Sequence, residues 1–308
     1  MMNASSCVSV THVYQRTLNG HLLFYTISDF LVFFTIFCRE AKRWNMHILG
    51  VCPMYDHIHV LVEKCDSQSL YRFVQAYTRQ YAGEFNLSIG SKGSIFKETF
   101  GRAEKYGTKE VRSACSYLYN NPGEKKLCER SEDYRWTFLA YAKSRHPFSI
   151  PLILSKAPSR LRKAIKIVNY YHSIGKYLSH PRIETLFRCL SLSEKQQLID
   201  YIITIYNCID YDRLFSLYGS YDQACLAFAS NQGNEFSIHE EFTPGSHKAY
   251  INISQFLIKK LGFKRVKDVF LLSEEQKRNL AQVCYKMNIA SSRQIEKYFR
   301  GMYLSDNQ

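Results

Sequence analysis

Cysteine pairs at metal or redox spacing are missing from this chain. Its ten cysteines are scattered, with no two closer than 13 residues. That excludes CxxC zinc or thioredoxin-like motifs and leaves no disulfide framework, a usage that suits a reducing cytoplasm. Long apolar runs are missing too. Phe30-Leu31-Val32-Phe33-Phe34-Thr35-Ile36-Phe37 is bounded by Asp29 and Arg39. It is too short to span a bilayer and reads as a buried helix, so no membrane partner is expected. Met1 to Ser9 carries no charged region followed by an apolar core, so no leader is expected. No Walker A pattern occurs, which argues against a motor or helicase activity. Acidic residues are short in supply, at 27 Asp and Glu against 41 Lys and Arg, a net charge of +14.

That excess is shared along the chain. Residues 1–150 hold 19 basic and 13 acidic residues, and residues 151–308 hold 22 and 14. A basic balance in both halves favours a polyanionic partner, with binding that weakens as salt rises. Aromatic residues make up 15% of the chain. Most belong to a core, but some can stack on the bases of a single strand.

The chemistry concentrates in two segments. In Met54-Tyr55-Asp56-His57-Ile58-His59-Val60-Leu61-Val62-Glu63, two histidines are separated by one apolar residue. On a strand, residues two apart share a face, so His57 and His59 project together. Paired imidazoles suit a divalent metal. The second segment is Val111-Arg-Ser-Ala-Cys-Ser-Tyr117-Leu-Tyr119-Asn-Asn121-Pro122. Val111, Cys115 and Leu118 recur at helical spacing and predict a core face, with Pro122 predicted to end the helix. Ser113, Tyr117 and Asn121 form a separate stripe, each four residues from the next. If that stripe packs on the histidine strand, a His-His-Asn metal site forms beside a phenol. Tyr119 lies about 200° around the helix from Tyr117, so both cannot face the metal equally.

These residues resemble the single-tyrosine HUH transposases, above all the REP-associated tyrosine transposase branch. His57-Ile58-His59 is similar to the family's HUH motif, and Tyr117 to Pro122 meets its Tyr-x-x-x-Asn-Pro signature. The resemblance extends over roughly residues 8 to 145, with Thr11 to Arg16 resembling the first strand, Gly93 to Glu98 the aromatic turn and Tyr134-Arg135-Trp136 the closing segment. It departs from the family at Tyr55-Asp56, where Pro-Asn is usual, and at Lys97 and Thr99. The resemblance implies a ferredoxin-like fold, Tyr117 as nucleophile, His57, His59 and Asn121 as ligands of Mg²⁺ or Mn²⁺, and cleavage and rejoining of single-stranded or hairpin DNA through a 5′-phosphotyrosine. The alternatives are a non-catalytic DNA-binding regulator that keeps the fold and a replication-type HUH nickase. A monomer or a homodimer would serve.

The periodicities predict, in the first 150 residues, strands at about 8–17, 46–53 and 57–64, and helices at 27–44, 68–85 and 109–120, joined by a loop over 86–108. This is an α+β class, with an antiparallel sheet covered by helices on one face. The loop is rich in Gly, Ser, Lys and Arg. Its Lys92, Lys97, Arg102 and Lys105, with Arg16 at the end of the first strand, are the expected DNA contacts. The pattern breaks between Ser144 and Pro151, which sets a boundary between a catalytic domain at 1–150 and an all-α domain at 151–308. Predicted helices there cover 159–173, 182–188, 193–206, 211–217, 220–230, 246–261, 264–270, 273–286 and 291–300, with starts marked at Ser193-Glu194 and by a Ser273/Gln276 capping box. The last two resemble a helix-turn-helix. Ser291, Ser292, Arg293, Gln294 and Lys297 form its expected exposed DNA-reading set, with Ile295 and Phe299 packed inward.

Overall fold

The structure is a computed structural model and describes residues 8–63, 65–230 and 246–304. Its first part runs β1 (Ser9–Arg16), α1 (Ile27–Arg43), β2 (Ile48–Pro53), β3 (His57–Glu63), α2 (Ser67–Ile89), β4 (Gly101–Tyr106) and α3 (Gly107–Glu124). The ends of the helices are chemically marked. Thr26 and Asp29 make a reciprocal capping box at the start of α1. The Asp66 carboxylate accepts the Ser69 N–H at 2.8 Å to open α2, and Gly90, in the left-handed region at φ 65°, closes it.

Two boundaries differ from expectation. The loop predicted over 86–108 contains β4, because α2 runs on to Ile89 and the strand GRAEKY turns Ala103 and Lys105 inward instead of showing apolar alternation. α3 does not stop at Pro122 but reaches Glu124. A proline lacks only its own N–H, and the final turn is closed beyond it by Lys125 N–H to Asn121 C=O at 3.1 Å.

The four strands lie in the order β2-β3-β1-β4, all antiparallel. With the sequence order βαββαβ this is the ferredoxin-like arrangement expected. Pairing of β1 with β3 sets Arg16 against His57, Tyr14 against His59 and His12 against Leu61. Ile58, Val60, Val62 and Val13 therefore share one face, where they join Phe33, Phe37, Tyr77 and Tyr81 of α1 and α2 in a buried cluster. Val10, Leu49 and Leu61 face the other way, onto Val111, Ala114, Cys115 and Leu118 of α3. The expectation of helices on one face only is thus corrected. The sheet is apolar on both sides over part of its area, so each side needs a helical cover.

Among the described residues from Ser159 onward the elements are helical, as predicted: α4 (Ser159–Ser173), α5 (His180–Phe187), α6 (Leu192–Tyr206), α7 (Tyr211–Ser216), α8 (Tyr221–Ser230), α9 (Lys248–Lys259), α10 (Glu274–Lys286) and α11 (Ser292–Phe299). The Ser273/Gln276 capping box is present, whereas α6 is capped by Ser191 with Glu194 rather than from Ser193. The stretch predicted as helix at 264–270 is a 3₁₀ segment, Val266–Leu271. Leu161, Val168, Ile183, Ile202, Ile253, Ile295 and Phe299 share one unbroken hydrophobic cluster with α1 and α2. α7 and α8 cover α3 instead: Tyr119 stacks on Phe228 with centroids 4.7 Å apart, and its hydroxyl donates to Leu49 C=O at 3.0 Å. Among the described residues all nine cysteines are free, and no helix is long and apolar enough to cross a membrane.

One polar seam crosses this core. The Asp29 carboxylate is fully buried and accepts from the backbone N–H of Tyr25 and Thr26 at 2.9 and 2.8 Å. It also accepts from His180 Nε2 at 2.7 Å and pairs with Lys267. The other imidazole nitrogen of His180 lies 3.5 Å from Glu84. Burial opposes the imidazolium, but Asp29 and Glu84 outweigh it and raise the His180 pKa above 6.5. The sign follows: a raised folded-state pKa adds stability that is fully present below pH 6.5 and is lost as pH rises through the raised value. His180→Gln should therefore cost about 3 kcal/mol at acidic pH, the lower end for a buried pair broken from one side. Urea unfolding should show the gap between wild type and variant closing as pH rises through that window. A gap of constant size would refute the assignment.

Candidate active site

β3 delivers His57 and His59 to the face covered by α3, and α3 delivers Tyr117 and Asn121 to the same place. The predicted partition of that helix holds. Val111, Cys115 and Leu118 are wholly buried against the sheet. Tyr117 is 5% exposed and lies against the imidazoles, its ring centroid 5.6 Å from His59 and 5.7 Å from His12. Tyr119 turns away into the cluster with Phe228. Asn121 Nδ2 approaches His59 Nε2 at 3.3 Å. The four predicted site residues are therefore brought together.

His12 belongs with them and was not singled out in the sequence. Its Nε2 lies 3.0 Å from His59 Nδ1. If His59 carries its proton on Nδ1 and donates to His12, its Nε2 lone pair is directed to Asn121, and the amide N–H found there is the matching donor. The available signal was period two: Val10, His12 and Tyr14 alternate on one face of β1. What could not be read was that β1 lies beside β3.

The second histidine is oriented from another side. His57 Nδ1 is 2.8 Å from Asp56 Oδ1. Its Nε2 is buried with no hydrogen-bond partner, and so is Asn121 Oδ1. Buried polar atoms normally find partners, so two orphaned acceptors flanking the His59 ring point to a missing electrophile. Two imidazole nitrogens and an amide oxygen form a neutral N/O donor set that a divalent ion such as Mn²⁺ or Mg²⁺ accepts. Turning the Asn121 amide by 180° exchanges Nδ2 for Oδ1 toward the shared space. Among the described residues no three His, Cys, Asp or Glu side chains gather as a metal cluster; a site here would need the Asn121 amide as its third donor.

Asp56 itself is a buried hub. Besides His57 it contacts Lys297 Nζ at 2.9 Å through Oδ2 and His247 Nε2 at 3.6 Å through Oδ1. Burial pushes its pKa up, but His247, His57 and Lys297 together hold it well below the usual carboxylate range. Burial first, and then the nearby cations, lower His247 to about 3 despite Asp56. At neutral pH His247 is thus uncharged, and Lys297 is the fixed cation that balances Asp56.

The predicted DNA contacts divide. Arg16, the cross-strand partner of His57, lies on the site face with its guanidinium 5.5 Å from the Tyr14 ring centroid. Lys105 shares that face beyond Ala103, which packs on Tyr117, and is buried. Arg102 projects to the opposite face and donates to Ser67 Oγ at 3.1 Å. Lys97 is exposed, and its backbone bonds Arg16 C=O at 3.0 Å. Lys92 is exposed in the turn after α2.

The C-terminal set divides as well. Ser291, Ser292 and Arg293 are exposed, and Ile295 and Phe299 are buried as predicted. Ser291 and Gln294 cap α11 reciprocally, and Gln294 also donates to Ser246 C=O at 2.9 Å. Lys297 is the correction: it is not exposed but 9% accessible and paired with Asp56. α11 is wedged against residues 20–25, with Tyr25 donating to Tyr298 C=O at 2.8 Å, so its buried arc is wider than the Ile295/Phe299 stripe suggested.

Residues 21–121 match the family described as transposase IS200 like, about a third of the chain. No curated protein matches it. The matched segment begins just after β1 and ends on Asn121, so it holds both histidines of β3, Tyr117 and Asn121 but not His12, Lys297 or His247. Over that segment the chain is similar to the IS200-like transposases.

Proposed function

We propose that the protein cleaves and rejoins single-stranded DNA by transesterification, with Tyr117 as the nucleophile and residues 151–308 as a helical DNA-holding domain. The observation that carries this reading is the pair of buried, unpartnered acceptors, His57 Nε2 and Asn121 Oδ1, on the two residues that flank His59, whose ring lies against Tyr117.

Tyr117 Oη attacks the scissile phosphorus as its proton is lost, and the P–O3′ bond breaks. The 3′ oxygen leaves and takes up a proton, and the 5′ phosphate remains on the tyrosine. One phosphodiester is exchanged for another, so no ATP is consumed, and attack by a different 3′-OH rejoins the strand and frees Tyr117. A Mg²⁺ or Mn²⁺ held by His57, His59 and Asn121 would supply Lewis-acid polarisation of the phosphate. His12 and Asp56 hold the two imidazoles by their Nδ1 sides, which directs both Nε2 atoms toward the site; His57 Nε2 is unpartnered there and His59 Nε2 meets the Asn121 amide. Arg16, opposite His57, fits a contact to a neighbouring phosphate.

Tyr117→Phe should abolish covalent protein–DNA adducts while leaving DNA binding intact, because only the attacking oxygen is removed. Tyr119→Phe should keep adduct formation and lose about 1 kcal/mol of stability with its bond to Leu49 C=O. Denaturing gels with a hairpin-bearing single strand and Mn²⁺ distinguish the two, and the opposite pattern would make Tyr119 the nucleophile.

His57→Ala and His59→Ala should each eliminate cleavage. Asn121→Ala should weaken it and raise the Mn²⁺ concentration needed for half-maximal rate. Undiminished cleavage in excess EDTA would rule out the metal.

The exposed start of α11 supports base-edge contacts from the C-terminal domain. Arg293→Ala should lower affinity by about 1–3 kcal/mol and relax sequence preference. Uniform weakening across sequences in competition binding would instead make Arg293 a phosphate contact.

A further inference from the structure

The buried carboxylate beside the HUH histidine is neutralised from the far end of the chain. Lys297 lies on α11, 241 residues from Asp56, and its ammonium reaches Oδ2 at 2.9 Å. The path is built for it. Gly20, at φ +68°, has no side chain, and a Cβ there would stand 3.0 Å from Lys297 Cε. Tyr298, the next residue, accepts the Tyr25 hydroxyl through its carbonyl, and Arg300 Nε lies 3.5 Å from His21 Nδ1. Lys297 packed on Gly20, Tyr298 on Tyr25 and Arg300 on His21 therefore seat this helix end on the segment that follows β1. His247, at the start of α9, closes the other side, with its N–H on Lys125 C=O at 3.0 Å at the end of the tyrosine helix.

We propose that Lys297 is a positioning residue for the metal ligand His57, acting through Asp56. The inference rests on the metal reading above. Oδ2 held by Lys297 presents Oδ1 to His57 Nδ1, and a carboxylate can only accept, so the proton stays on Nδ1 and the Nε2 lone pair faces the site. Without the ammonium the carboxylate loses the donor that fixes its orientation and can turn from the ring. His57 is then free to carry its proton on Nε2, where it no longer binds a cation. The C-terminal helices are in this sense part of the catalytic apparatus, although they lie outside the segment that matches the transposase family.

The test uses the full-length protein. Long-range ¹H–¹⁵N spectra of the metal-free form report the His57 tautomer, with the signal assigned by its loss in His57→Gln. Titration with Mn²⁺ followed by the free-ion EPR signal reports affinity. Wild type should show Nδ1–H. Lys297→Met should show a mixture with Nε2–H and bind Mn²⁺ about tenfold more weakly, the lower bound for loss of an outer-shell partner. Lys297→Arg should restore both. If Lys297→Met does not fold, the double variant Asp56→Asn with Lys297→Met removes both buried charges and should show the same two losses. An unchanged tautomer and unchanged Mn²⁺ affinity in a folded variant would overturn the proposal and make Lys297 a structural latch only. Mn²⁺ binding that survives His57→Gln and Asn121→Ala would defeat the metal reading itself. The tautomer spectra, recorded without metal, separate the two failures.

Discussion

The register of β1 on β3 is the constraint on which the site depends. With Tyr14 opposite His59 and Arg16 opposite His57, the side chains of His12, Tyr14, Arg16, His57 and His59 fall on the face of α3. A slip by one residue would turn every side chain of β3 over, burying two imidazoles in the aromatic layer of α1 and α2 and pushing Ile58, Val60 and Val62 against the tyrosine helix. The apolar cluster on one side and the α3 contacts on the other both resist that slip. Gly101 adds to this on the neighbouring strand. It lies opposite Tyr14, whose ring occupies the space where any Cβ would stand.

Asp29 and Asp56 are buried carboxylate hubs that join the sheet domain to the helical half. Asp29 gathers His180 and Lys267, and Asp56 gathers His57, His247 and Lys297. Such groups add little net stability compared with apolar contacts, because removing charges from water offsets most of their attraction. They are, however, directional. Misplacing a helix of the second half leaves a carboxylate uncompensated in the core, which favours one docking arrangement over others. At Asp56 that requirement coincides with the chemistry, since the same carboxylate orients a candidate metal ligand.

Much of this was legible in the chain. The His-x-His alternation, the Tyr-x-x-x-Asn spacing and the apolar stripe of α3 identified four converging residues and separated Tyr117 from Tyr119, because periods of 2 and 3.6 set which side chains share a face. β4 escaped notice because charged residues alternate with Ala103 and a buried lysine, so hydrophobicity carries no strand signal there. Pro122 misled because a proline near a helix end removes one donor without ending the helix.

The sequence by itself determined the α+β class, the helical second half, the basic charge and which residues of β3 and α3 could share a face, since each follows from local spacing and composition. Tertiary structure alone decided that His12 orients His59, that α3 lies on the face opposite α1 and α2, and that Lys297 serves Asp56 rather than solvent. Those facts depend on contacts between residues 47 to 241 positions apart. No local period encodes such contacts, because the pairing of strands and the docking of helices are settled by how whole surfaces bury together.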